Sequence, residues 1–158
     1  MAQRCNLIIL CLSFLVAACS NGANNGDTAL VTGWYHVVDS GGGVARQLDR
    51  GSTYYLDPEP IVTASNFETL TAEHFPHTDT LWQVVVQLDK PGSAQFAKAT
   101  EALIGQDLIF VLDDTLFADR IRIQAKIPSG VTVISKKENF AQKDADALIR
   151  RIAADGGG

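Results

Sequence analysis

This sequence predicts an α+β fold: a mainly antiparallel sheet of about five strands, with two to three helices packed on one face. Three observations carry that prediction. Between Ser93 and Asp114 an amphipathic helical stripe runs straight into an apolar run, Leu108 to Leu112. Trp82–Leu88 and Ile121–Ile127 alternate apolar and polar residues with period two, as half-buried strands do. Several links between these segments are too short for the crossovers that parallel neighbours need.

The N-terminus stands apart from this domain. Arg4 supplies a short basic region, and Leu7 to Ala18 form an apolar run too short to span a bilayer as a helix. The run ends in Val16-Ala17-Ala18-Cys19, which is similar to the bacterial lipoprotein signal, where the chain is cut before the cysteine and the thiol takes a diacylglyceryl group. That resemblance implies a signal peptide at 1–18, a lipidated Cys19, a flexible Asn/Gly-rich tether at 19–29 and a folded domain at 30–155. The alternative is an ordinary signal peptide that happens to contain Cys. Ser20, not Asp, follows the cysteine, which resembles the outer-membrane sorting pattern of Gram-negative bacteria. The expected address is therefore the periplasmic face of the envelope, lipid-anchored, with the outer membrane favoured over the inner. Several acyl chains on one cysteine anchor durably where a single chain does not.

Cleavage would remove Cys5 and Cys11, and lipid would consume Cys19. The mature chain then has no thiol, which excludes disulfides, thiolate metal sites and cysteine catalysis. It would carry 12 Lys and Arg against 18 Asp and Glu, a net charge of −6. Nucleic acid is a poor partner for an acidic envelope protein.

Taken in order, Gly33 to Val38 has the aromatic and β-branched content of a strand. Ser40 to Gly43 is a loop that lacks the Lys-Ser/Thr of a phosphate cradle. Thr53 to Leu56 is a second short strand, stopped by Asp57-Pro58-Glu59-Pro60 and resumed over Ile61 to Ala64. Asn66 is placed to cap a short helix running to His74. Phe75 to Thr80 is a loop, and Trp82 to Leu88 a strand with Trp82, Val84, Val86 and Leu88 on one face. After the Pro91-Gly92 turn, Ser93 caps the central helix, whose stripe is Phe96, Thr100, Leu103 and Ile104. Gly105 closes it in the left-handed conformation. Leu108 to Leu112 reads as a strand buried on both faces, ended by a turn at Asp113-Asp114. Leu116-Phe117 begin its partner, Ile121 to Ile127 continue the sheet, and Pro128-Ser129-Gly130 turn into a last strand at Val131 to Ser135. Asn139 caps a final helix striped by Ala145, Leu148, Ile149 and Ile152.

Phe96, Thr100, Gly105, Leu112-Asp113, Ile127, Gly130, Ile134, Phe140, Ala145 and Leu148 follow one another in an order that resembles a known unit. It is similar to the head subdomain of the first periplasmic domain of SecD/SecDF, an accessory of bacterial protein export. Tyr54-Tyr55-Leu56 and Glu59 to Thr63 are similar to that family's opening strand, so the resemblance covers about residues 53 to 153. Asp114 departs from the pattern, standing where the family usually has Gly. The transmembrane helices that couple SecD to the proton gradient have no counterpart among these segments. The resemblance implies contact with exported, unfolded chains or with the translocon, and evidence about shape ahead of activity.

Candidate sites are few. His74 and His77, with Glu73 and Asp79 nearby, are the one cluster with metal-ligand chemistry, and Pro76 prevents a helix from presenting the two imidazoles together. A solvated loop is the simpler reading, and no metal or other cofactor is expected. His36 lies in a strand, no serine stands on a strand-turn-helix elbow, and Asp113 and Asp114 point apart in an extended turn, so no catalytic residue is assigned. Residues 116–158 carry 8 basic and 5 acidic side chains, whereas 19–115 carry 4 and 13. Arg122 and Lys126, on one predicted strand face, with Lys136, Lys137, Arg150 and Arg151 near in sequence, form a candidate patch for an acidic partner or membrane headgroups. Trp34, Tyr35, Tyr54, Tyr55 and Trp82 pack the sheet, or in part line a groove for an extended segment that adds to a sheet edge. The expectation is a non-catalytic module that binds protein or extended peptide through a sheet edge or the 66–80 region. Its partner would be an exported preprotein or a translocon component, or alternatively one specific envelope protein bound by an inhibitor or immunity lipoprotein.

Overall fold

The computed structural model describes residues 28–48, 51–78, 80–136 and 139–156. The expected signal peptide, Cys19 and most of the tether lie outside the described residues, as do Asp79 and Lys137. The elements are β1 Gly33–Val38, β2 Val44–Gln47, β3 Thr53–Leu56, β4 Val62–Thr63, β5 Phe67–His74, β6 Trp82–Leu88, α1 Lys90–Ala102, β7 Asp107–Leu112, β8 Thr115–Leu116, β9 Ile121–Arg122, β10 Val131–Ile134 and α2 Gln142–Asp155. Among the described residues no helix is long and apolar enough to cross a membrane.

All strand pairs are antiparallel, but they form two sheets where one of about five strands was expected. The larger runs β2-β3-β1-β7-β8, with β4 also on β1 and β9 also on β7; the smaller runs β10-β6-β5. Among the described residues there are two α-helices, and they are not gathered on one face of a single sheet. α1 touches β4 of the larger sheet and β6 of the smaller, and α2 lies along β5 and β6.

β7 is the hub. Leu108 to Leu112 are each at most 3% exposed, because the strand has a core on either side. Leu108, Phe110 and Leu112 join Trp34, Val84, Val86, Leu88, Phe96 and the α2 stripe of Ala145, Leu148 and Ile152. Ile109 and Val111 face the other way, toward Leu30, Tyr35, Val44, Leu56 and Leu116. β1 shows the same division: Trp34 enters the first cluster, with its ring 5.3 Å from that of Phe110, and Tyr35 the second. A run of adjacent apolar residues is what such a strand requires.

Several expected boundaries shift for identifiable reasons. The segment after Asn66 is strand β5, not a helix, since Leu70 and Ala72 face inward opposite Val86 and Val84. Asn66 is not an N-cap: it is the last residue of a single 3-10 turn over Ala64–Asn66 capped by Thr63, and its Oδ1 reaches back to accept from Thr63 N–H. α1 begins before Ser93: Asp89 is its N-cap, accepting from Gly92 N–H at 2.6 Å, and Pro91 sits in the first turn, where no backbone donor is needed. The helix ends at Ala102, leaving Ile104 53% exposed and off the stripe; Gly105 has φ +85°, as expected of the closing residue. α2 starts at Gln142, with Asp144 reaching back to Ala141 N–H, and Asn139 lies outside it at φ +55°. β2 was not foreseen. The ladder at β9 covers only Ile121–Arg122, so Lys126 does not share a strand face with Arg122.

Candidate binding groove

The groove is built on the outer edge of β10. Leu88 N–H donates to the Gly130 carbonyl at 2.8 Å, and antiparallel pairing alternates from there. Thr132 and Ile134, opposite Val86 and Val84, therefore turn their backbone groups toward β6. Val131 and Val133 turn theirs outward. Val131 N–H meets the Ser129 hydroxyl at 3.3 Å. β10 ends its sheet, so among the described residues this side of the strand has no neighbouring strand.

Facing that edge is the segment Ala118 to Ile127. Its course is set by backbone pairing with the end of α1: Gly105 N–H donates to Ile123 O, Ile123 N–H to Gln106 O, and Ile127 N–H to the Thr100 hydroxyl. Two cavities lie between the segment and β10, and both are lined by Trp34 and Ile121. One, of about 370 Å³, is bounded by Phe75, Leu81, Ala118, Arg120, Val133, Ile134 and Lys136. The other, of about 320 Å³, is bounded by Phe96, Leu108, Arg122, Ile123, Lys126, Ile127 and Thr132. Ile121 is 47% exposed between two predominantly apolar floors, and Phe75 is 39% exposed at the far end.

Charge collects on the rim. Arg120 and Arg122 share the single carboxylate of Asp107, at 2.8 and 3.1 Å, and project into solvent while Asp107 is largely covered. Lys126 pairs with Glu101 at 2.8 Å, and the Lys136 ammonium lies 4.4 Å from the centre of the Phe117 ring. Arg122 and Lys126 therefore border one cavity, although they do not share a strand. Arg151 turns elsewhere, to Asp113 at 2.6 Å. Neither Ile121 nor Arg120 stands out as a site residue in the sequence; the available signal is an isoleucine flanked by two arginines at the start of the cation-rich segment 116–158.

The histidines are placed differently. His74 ends β5 and stacks on Trp82, ring centres 4.2 Å apart, and His77 sits in the following turn at φ +65°. Among the described residues no three ligating side chains stand together. At the opposite end of β7, Asp113 and Asp114 are the two residues of a hairpin turn, both at positive φ. Burial alone would raise the Asp114 carboxyl, but the Leu30 N–H and the Arg46 guanidinium outweigh it and hold the group below the ordinary carboxylate value. Asp113 is held low by Arg151. Thr32 bridges this corner to α2, its hydroxyl donating to Asp155 and accepting from Asp113 N–H.

Fold and groove together define a small α+β domain with an open sheet edge. Residues 42–154 match the family described as SecDF, P1 head subdomain, and the chain belongs to that family. Two solved structures share the fold. SecDF in its super-membrane-facing form aligns with 80% of this chain and 19% of its own length, at 17% identity and a TM-score of 0.62. A second SecDF structure, described as a membrane component that enhances protein export, aligns with 79% of this chain and 62% of its own, at 16% identity and the same TM-score. The chain thus spans less than two thirds of either. No curated protein matches it significantly.

Two turn positions named in the resemblance have physical causes here. Gly130 has φ +67°, and a Cβ on it would stand 2.0 Å from the Ser93 hydroxyl, so any larger residue would have to displace Ser93 and take on a backbone that favours glycine. Asp114, where the resemblance calls for Gly, is at φ +61°. Asp tolerates that region better than most residues and here supplies a carboxylate that Gly lacks.

Proposed function

We propose that this chain is a membrane-anchored periplasmic lipoprotein, lipidated at Cys19, whose head domain binds extended protein segments in the service of protein export or envelope quality control. It acts without catalysis and without a cofactor. The observation that carries the reading is the open β10 edge beside two apolar cavities, a surface suited to unfolded chain. Membership of the SecDF P1 head family supports the link to export, and Val16 to Cys19 supports the anchor. Chain entry adds a geometric argument. Leu30 is held at the Asp114 end of β7, while Arg120 and Arg122 meet Asp107 at its other end, roughly 17 Å away for a six-residue strand. On this reading the tether enters the domain at Leu30, away from the cationic rim of the groove.

Photo-crosslinking from Ile121 and Val131 in intact cells tests the reading. Capture of many exported chains supports it, and tight capture of one folded envelope protein replaces it with the inhibitor or immunity role. Labelling with radioactive palmitate that persists in Cys19→Ser would remove the anchor.

A further inference from the structure

We propose that β10 is a template strand: an extended segment pairs antiparallel with its outer edge and places two apolar side chains, two residues apart, in the two cavities that share Ile121. This rests on the peptide-binding reading above and specifies what the bound segment must look like.

The register follows from the ladder. Val133 offers both N–H and C=O outward, so an incoming residue opposite it exchanges two hydrogen bonds. The side chain of that residue lies on the outer face, beside Val133. Its two neighbours fall opposite Thr132 and Ile134, whose side chains point into the domain at 7% and 1% exposure. Thr132 lines one cavity and Ile134 the other. Strand residues alternate with a repeat of roughly 7 Å, so consecutive inward side chains of the segment meet consecutive cavities. The motif is apolar-x-apolar, with no proline or other N-substituted residue at x.

Charge favours acidic flanks, since the rim sets Arg120, Arg122, Lys126 and Lys136 against Asp119 and Glu101. Arg120 and Arg122 divide one carboxylate between them, and each guanidinium has five N–H donors. An acidic residue just outside the apolar pair meets them at the rim, where contacts steer encounter more than they hold the complex. The occupant is therefore an extended, acidic-flanked, apolar-x-apolar segment.

The probe is a short fluorescein-labelled peptide with a Leu-Thr-Leu centre and flanking aspartates, bound to the lipid-free chain and followed by anisotropy. N-methylation at the central Thr should weaken binding by roughly three- to tenfold per hydrogen bond lost, and N-methylation at either Leu should leave it unchanged. On the protein, Val133→Pro removes an edge donor that no strand among the described residues accepts and should lose affinity while the circular dichroism spectrum and melting temperature hold. Val133→Ala, which keeps the N–H, should bind nearly as wild type. Equal effects of N-methylation at all three positions, or the opposite phase, overturn the template strand. If that pattern is absent while the domain still binds a reduced, carboxymethylated protein, this proposal falls and the broader reading stands. Failure to bind either probe overturns both.

Discussion

Thr100 and Ile127 are joined across the groove wall: the buried Thr100 hydroxyl accepts from Ile127 N–H at 3.0 Å and donates to the Phe96 carbonyl at 2.8 Å. One side chain on α1 thus holds the segment that forms a side of the second cavity. Thr100→Val keeps the shape and removes the acceptor, leaving a backbone donor without its partner, at a cost of about 1–3 kcal/mol. Thr100→Ser keeps the bond and loses only a methyl group, about 1 kcal/mol. Urea unfolding should rank the variants in that order. In Thr100→Val the Ile127 amide should also exchange faster with deuterium than in wild type.

Tyr35 gives the domain an alkaline limit. It is 1% exposed, and burial pushes its phenol from 10.0 up to about 12, with the hydroxyl donating to the Val31 carbonyl. Above pH 10 the unfolded chain releases this proton and the folded chain retains it, so unfolding gains. The contribution is full below pH 10 and is lost as pH rises toward 12. Urea midpoints measured from pH 9 to 11.5 should fall for wild type and fall less for Tyr35→Phe. Equal slopes would mean that the phenol ionises in the folded state.

The Asp113-Asp114 hairpin combines two opposed effects. Positive φ at Asp114 disfavours most side chains by roughly 1–2 kcal/mol, while its carboxylate holds Leu30 N–H and Arg46. Asp114→Ala loses the tolerance for that backbone and the carboxylate together, and should be the least stable of the series. Asp114→Gly relieves the backbone and loses the contacts, so it should fall between Ala and wild type. Asp114→Asn keeps an acceptor and loses the charge. Because the carboxyl is held below 3.8, its contribution is present above that pH and lost as pH falls through the lowered value. The gap between wild type and Asp114→Asn, read from thermal midpoints, should accordingly close in acid.

Much of this architecture was legible because local pattern and burial agreed. Gly33 to Val38, Thr53 to Leu56 and Trp82 to Leu88 were read with the bounds they have, and Leu108 to Leu112 as a strand with a core on both sides. The Phe67–His74 strand was misread because Asn66 is a good cap and Leu, Ala and Glu suit helices; only its tertiary partner β6 decides the matter. Dividing the strands between two sheets depends on which strands meet, and that has no local signal. Arg122 and Lys126 were singled out on a shared strand face that does not exist, yet the path of 123–127 around the end of α1 returns both to one cavity. The groove itself is made by β10, β1 and the 118–127 segment, far apart in sequence, so no single stretch announces it.

That placement makes the charged rim testable apart from the apolar floor. Reversal of both residues, Arg122→Glu with Lys126→Glu, should weaken an acidic-flanked segment about three- to tenfold at low salt, because exposed pairs contribute about 0.2–1 kcal/mol each. The difference should shrink as ionic strength approaches 0.5 M, where screening shortens the reach of these charges. Asp107→Asn works in the other direction. It frees Arg120 and Arg122 from the carboxylate they share and should tighten the same segment by a few-fold, with the gain again lost in salt. A neutral apolar-x-apolar peptide serves as the control, since its affinity should respond to none of these changes but fall with Ile121→Lys, which places a charge between the two apolar cavities. If the charge changes move acidic and neutral peptides alike, the arginines act through the fold of the rim, and selectivity for acidic flanks has to be abandoned.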